Sequence, residues 1–236
     1  VDISTPSNPF VVAERRDIET GTADPFEGVL DLWVSGDRLL VGGPGVYDPE
    51  LAHGFGVFDI SDPSTPEQIA FQPLDTPLSG GYYIHNLYLE DGIAYLTGSA
   101  APRNPLVMYD VTLTQPREIG RWSLEDVDPE YANASPASRS LHDVTVRDGI
   151  AYIPCWDAGT WIVDVTDPTA PTVLANISEY DSTGLTGWSD GKAIAESIVP
   201  PGNAHYTMVD DAGEILGVGQ EAWAVERDGE LSGGPG

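Results

Sequence analysis

"HDVTVRDGIAYIP", residues His142 to Pro154, has a near copy in "HNLYLEDGIAYLT", from His85 to Thr97. A looser copy, "HYTMVDDAGEILG", starts at His205. Each opens on a histidine and alternates apolar with polar side chains. Alternation with period two marks a strand with one buried face. The pairs Asp91-Gly92 and Asp148-Gly149 predict a tight hairpin, because a type I′ turn needs positive φ at both central residues. An apolar strand follows each turn.

Stacked on the histidines, the chain shows four copies, beginning at Leu30, His85, His142 and His205. A second motif recurs downstream: "GVFDISDPSTPEQIAF" from Gly56, "LVMYDVTLTQPREIGRW" from Leu106 and "WIVDVTDPTAPTVLANI" from Trp161. Here an apolar strand ends in Asp-Ile/Val-Ser/Thr, a proline-containing turn follows, and another short strand begins. Proline suits a turn where no ladder needs its amide. Asp59, Asp110 and Asp164 are expected to accept hydrogen bonds from turn amides. Each unit is therefore four antiparallel strands. Four-stranded units recurring at this spacing predict an all-β propeller, whose blades bury their faces only by stacking on neighbours.

Three complete blades are expected, at about 28–75, 83–124 and 140–178. "VDISTPSNPFVVAE" matches strands three and four of a blade, with Asp2 in the place of Asp59. This puts a half-blade at 1–18 and its complement, strands one and two, at 202–225. Two arrangements stay open. The half-blades pair into a fourth blade, or the chain is a slice of a longer propeller. Four-bladed rings are at the small limit, which favours the slice.

Charge excludes several functions. Asp plus Glu number 38 and Lys plus Arg 10, a net charge of −28. Lys192 is the single lysine. Such a field repels nucleic acid and anionic membranes. The acids are scattered through every segment, which reads as a surface adapted to high salt, where screening suppresses self-repulsion. An acidic surface for cations or basic partners is the competing reading. No apolar run is long enough for a membrane span. "VDISTPSNPF" has neither a charged n-region nor an apolar h-region, so no signal peptide is expected in this segment. The lone cysteine, Cys155, excludes an intrachain disulfide.

The segments "VFDISDPSTP", "MYDVTLTQP" and "IVDVTDPTAP", with "HDV…DGIAY" before them, resemble the LVIVD-repeat family of β-propellers. The resemblance spans Val1 to about Trp223. It implies a propeller, often on exported or surface proteins of bacteria and archaea. The acidic composition resembles proteins of halophilic archaea. More distantly, histidine-bearing blades are similar to those of the selenium-binding protein and methanethiol oxidase family, whose propellers hold histidine-rich metal sites. This chain departs from that pattern, with no Cys-x-x-Cys and only four histidines.

The first strand of a blade lines the central channel, so equivalent residues of successive blades form a ring. His85, His142 and His205 share one position, and Leu30 breaks the pattern in the remaining blade. Three imidazoles with an open fourth position would suit Zn, Cu or Fe. In the structural alternative each histidine donates a hydrogen bond to the next blade's carbonyl. Rings more than about 8 Å apart would be beyond what ligand bonds of about 2.1 Å can bridge. Hairpin geometry sets His142 opposite Cys155 and His205 near Gly219, Gln220 and Glu221. Cys155, Asp157 and Glu221 are thus candidate neighbours of a metal, and a Cys155 thiolate beside His142 is a further candidate nucleophile. Trp156, Tyr131, Tyr180 and Trp188 are candidate pocket residues on the same loop-rich mouth. His53 lies outside the register and is expected at the surface.

The leading expectation is a non-catalytic binding or scaffold propeller, exported or cell-surface in a high-salt organism. It would recognise a protein or small molecule at that mouth, with self-association open to it. The second is a metal-dependent oxidoreductase or hydrolase built on the histidine ring.

Overall fold

The computed structural model describes residues 1–15, 17–21, 25–43, 51–74, 84–98, 105–127, 129, 141–156, 158–177, 203–221, 225–227 and 230–232. The fold is a β-propeller of four-stranded antiparallel blades. Blade one is β1 (Asp31–Ser35), β2 (Arg38–Gly43), β3 (Gly54–Asp59) and β4 (Glu67–Pro73). Blade two is β5 (Asn86–Glu90), β6 (Ile93–Thr97), β7 (Leu106–Asp110) and β8 (Arg117–Trp122), followed by the single turn α1 (Leu124–Val127). Blade three is β9 (Thr145–Arg147), β10 (Ile150–Pro154), β11 (Thr160–Asp164) and β12 (Thr172–Asn176). In all three, the strands are neighbours in chain order. Two hairpins follow, β13 (Asn203–Val209) with β14 (Leu216–Glu221), and β15 (Val225–Arg227) with β16 (Glu230–Ser232).

The turns explain the register. Asp91 and Gly92 have φ of 49° and 77°, and Asp148 and Gly149 have 51° and 74°. Both central residues are left-handed, as the Asp-Gly pairs predict. Between strands three and four, Asp59, Asp110 and Asp164 each accept the amide two residues on, from Ser61, Thr112 and Thr166, at 2.8–2.9 Å. Hydrogen bonds from the Ser61, Thr112 and Thr166 side chains, and then from these amides, hold the three carboxyl groups below the usual carboxylate range. The same turn is built at Asp2, which accepts the Ser4 amide at 2.7 Å and bridges to Phe10. Beyond it, Glu19 and Gln68 exchange two hydrogen bonds, tying the N-terminal segment to β4. Among the described residues, β14 has β13 as its one strand partner.

The core lies at the blade junctions. Leu40, Phe55, Val57 and Ala70 of blade one pack on Ile84, Leu87, Leu89, Ala94, Leu96 and Val107 of blade two. Tyr95, Leu106, Met108 and Trp122 of blade two pack on Leu141, Val144, Val146, Ile153 and Trp161 of blade three. Strand-one residues at alternate positions point back into the preceding blade, which is why Leu87, Leu89, Val144 and Val146 are buried. Farther out, Gly120 on β8 lies under the Pro168 carbonyl of the next blade's turn, at a spot where a Cβ would collide with that oxygen.

Candidate functional site: a histidine ladder at the channel mouth

The backbone supports the alignment at its first position in three of the four copies. Leu30, His85 and His142 each donate their amide to a residue at the end of strand two, the carbonyls of Gly42, Thr97 and Pro154, at 2.8–3.0 Å. His205 sits at the bulge in the β13–β14 pairing, between the pairs Ala204–Gln220 and Tyr206–Gly219. His85 and His142 thus lie just before the first strands of blades two and three, and His205 lies near the start of β13.

Their rings form a ladder. The His85 and His142 ring centroids are 4.2 Å apart, and those of His142 and His205 are 4.1 Å apart. The separation is well inside the 8 Å limit set above. His85 Nδ1 lies 2.9 Å from the His142 carbonyl oxygen, and His142 Nδ1 lies 3.1 Å from the His205 carbonyl oxygen. A carbonyl oxygen only accepts, so both nitrogens must carry the proton. His85 Nδ1–H is shared with Asn86 Oδ1 at 2.6 Å. The His85 and His142 rings therefore tie their own blades to the main chain of the next unit, and Nε2 is left as the acceptor nitrogen in each.

Burial, then the charges of His85 and His205, push the His142 pKa down to about 3. Protonating its Nε2 would place a charge in a half-buried stack beside two further imidazoles. The ring stays neutral. It also stacks on Trp156, with centroids 4.8 Å apart and planes 22° apart. Trp156 has a φ of 51°, a left-handed backbone that a bulky residue rarely adopts. Two hydrogen bonds hold it there, Trp156 N–H to the Ala204 carbonyl at 3.2 Å and Ala204 N–H to the Trp156 carbonyl at 3.0 Å. These bridge blade three to the β13–β14 hairpin.

The residues after Leu30 and His142 also reach across. Asp31 Oδ2 accepts the Leu87 amide at 2.9 Å. Asp143 accepts the Val144 amide at 2.7 Å and the Thr207 amide of the next strand. Burial, then the negative charge of Asp31, raises its pKa to about 7 against those hydrogen bonds. At the far end of strand one, Glu90 accepts the Asp148 and Gly149 amides of the next blade's hairpin, at 3.2 and 3.3 Å. Neither Asp31 nor Glu90 was singled out from the sequence. Acceptor side chains at 31, 86 and 143, directly after the aligned position, were the available signal.

The other expected residues fall out as follows. Cys155 is fully buried in the junction of blades two and three, and its thiol bonds the Ile153 carbonyl at 3.4 Å. Burial pushes its pKa well up, which opposes a thiolate nucleophile. His142 N–H meets the carbonyl of Pro154, next to Cys155, so their adjacency in the hairpin is as expected. Glu221 pairs with Asn203 at the end of β14, two residues from His205. Asp157, Tyr131, Tyr180 and Trp188 lie outside the described residues. His53, expected at the surface, is half-buried, with its carbonyl taking the Leu74 amide at 2.9 Å. Among the described residues no three His, Cys, Asp or Glu side chains are disposed as a metal-binding group, and no helix is long and apolar enough to cross a membrane.

Stacked four-stranded units, stitched along their inner strands, define the protein's class as a β-propeller. A family model described as the LVIVD repeat matches residues 51–70 and 138–178. The first stretch covers β3 and the following turn, and the second covers the whole of blade three. No curated protein matches the chain.

Proposed function

We propose that this protein is a non-catalytic binding or scaffold propeller, exported or at the cell surface of an organism living in high salt. The observation that carries the reading is the use made of the chemistry-bearing side chains. His85 and His142 spend Nδ1–H on neighbouring blades, Asp31 and Asp143 spend carboxylates on neighbouring amides, and Cys155 is sealed in a junction. Such groups hold a frame rather than carry out chemistry. The net charge of −28 with one lysine supports the high-salt setting, and the loop-rich mouth is the surface for a protein or small-molecule partner.

A second reading has its own support. The three imidazoles are in contact, His142 is neutral, and Nε2 of His85 and His142 is the acceptor nitrogen, the form a transition metal takes. In that reading the chain is a metal-dependent oxidoreductase or hydrolase with Zn, Cu or Fe at the mouth. Elemental analysis of protein purified in high salt, before and after dialysis against a chelator, separates the two. The scaffold reading predicts no stoichiometric metal, and lowered stability in His142→Ala. Stoichiometric metal that is lost in each of His85→Ala, His142→Ala and His205→Ala would replace it with the metal reading.

A further inference from the structure

Three described residues other than glycine have a left-handed backbone. Asp91 and Asp148 sit in Asp-Gly hairpin turns that require it. Trp156, at φ 51°, sits in no such turn. The first hydrogen bond of each blade gives its equivalents. Gly42, Thr97 and Pro154 accept the amides of Leu30, His85 and His142. Trp156 stands two residues beyond Pro154, where the other blades have Pro44 and Ser99 in the sequence. The tryptophan is therefore not part of the repeated pattern. A bulky residue keeps a left-handed backbone only where its surroundings hold it there, and such residues gather at clamps and switches.

The bonds that hold Trp156 reach outside its own blade. The pair it exchanges with Ala204 is an isolated bridge, not a rung of a longer ladder. Behind it the loop closes on itself. The Cys155 amide donates to the Gly159 carbonyl at 2.7 Å, and the Gly159 amide donates to the Trp156 carbonyl at 3.3 Å. Trp156 is 8% exposed. Its indole lies nearly parallel to the His142 ring, and its centroid is 6.1 Å from that of His205. It thus covers two rungs of the ladder. His142 spends Nδ1–H on the His205 carbonyl, so Nε2 is the nitrogen it has for a ligand.

We propose that Trp156 is a latched cover over the histidine ladder, held shut by its bridge to Ala204. When the bridge opens, the backbone leaves the left-handed region and carries the indole off His142 and His205. Strain and bridge are opposed, so loss of the bridge alone releases the cover. Two hydrogen bonds at a loop can open locally while the blade cores stay folded. The uncovered His142 then offers its Nε2 lone pair to an N–H or O–H donor of the partner. The use of the latch rests on the mouth being the binding surface. Its opening does not, and is measured with no partner present.

Amide hydrogen exchange of the unmodified chain in high salt reads the latch. The Trp156 and Ala204 amides should have matching protection, at least about tenfold below that of the His142 amide, which is bonded to Pro154 inside blade three. Diethyl pyrocarbonate, which acylates neutral imidazole, reads the cover, with the modified histidine located by peptide mass spectrometry. In Trp156→Gly the backbone keeps its conformation without strain and the indole is gone, so His142 should be modified at least about tenfold faster. Ala204→Pro removes one bond of the bridge and keeps the indole, and modification of His142 should again speed up. Circular dichroism confirms that each variant is folded. Bridge amides as protected as that of His142, or a folded variant of either kind with His142 modified no faster, would overturn the proposal and make Trp156 a fixed packing residue.

Discussion

Strand one of blade one and strand one of blade two are close in pattern and opposite in environment. "LDLWVSGDRLLVGG" and "HNLYLEDGIAYLTG" place leucine at the same backward-facing position, Leu32 and Leu87. Leu87 is sealed and Leu32 is bare. The two strands also differ at their first residue. His85 sends its ring to the next blade's main chain, whereas Leu30, holding the same backbone hydrogen bond, has no donor to send. In a repeat protein, then, local sequence sets the shape of a blade, and the neighbour decides whether its faces are core or surface.

The largest break in that comparison should come from Leu87→Ala against Leu32→Ala. The interior change leaves a cavity between Leu40, Phe55 and Val57 and should cost about 3 kcal/mol. The change at Leu32 should cost less than about 0.5 kcal/mol. Denaturant unfolding in high salt, with unchanged m-values, measures both. Equal costs would mean that Leu32 is covered.

Gly120→Ala comes next, at roughly 2 kcal/mol, since the new Cβ must displace the Pro168 carbonyl and open the outer edge between blades two and three. The same unfolding curve reads it. His142→Ala should cost about 1–2 kcal/mol, for a lost hydrogen bond and a stranded His205 carbonyl.

The smallest effect is the net pH dependence of the unmodified chain, because two opposed shifts nearly cancel in it, and it sharpens the account most. His142 is depressed to about 3 in the folded chain against 6.5 unfolded. The unfolded chain binds the extra proton, so this residue's stabilisation is present above about pH 6.5 and is lost as pH falls toward 3. Asp143 is raised to about 7 from 3.8. Here the folded chain holds the extra proton, so stability falls as pH rises from about 4 to 7. The two neighbours oppose each other. Asp143→Asn should unmask a stability that climbs with pH over about 3 to 6.5. His142→Ala should unmask one that declines over about 4 to 7. Thermal unfolding across pH checks both slopes, and identical profiles in the two variants would contradict the assignment.

Much of the frame was legible in the sequence. Asp91-Gly92 and Asp148-Gly149 announced their turns because few other residues tolerate that φ. Asp59, Asp110 and Asp164 announced theirs because a short carboxylate can reach an amide two residues on. These are local interactions, and local interactions repeat with the sequence. The ladder was legible only as an alignment of histidines. What the rings do depends on the His142 and His205 carbonyls, which lie 57 and 63 residues along the chain. Spacing shows that such groups meet, and it does not show which atoms bond. The same distance hid the Asp31–Leu87 and Asp143–Thr207 contacts. It also hid the burial of Cys155, whose surroundings come from two blades. Trp156 read as a pocket aromatic, and its stacking on His142 follows from a backbone conformation that no local motif announces.

The most direct test of the central claim, that the histidines tie blades together, is the ring nitrogen NMR of 15N-histidine-labelled protein in high salt. The account predicts the Nδ1–H tautomer at His85 and His142, with His142 remaining neutral far below its ordinary value of 6.5. An Nε2–H tautomer at these residues, or a His142 that protonates near 6.5, would contradict it.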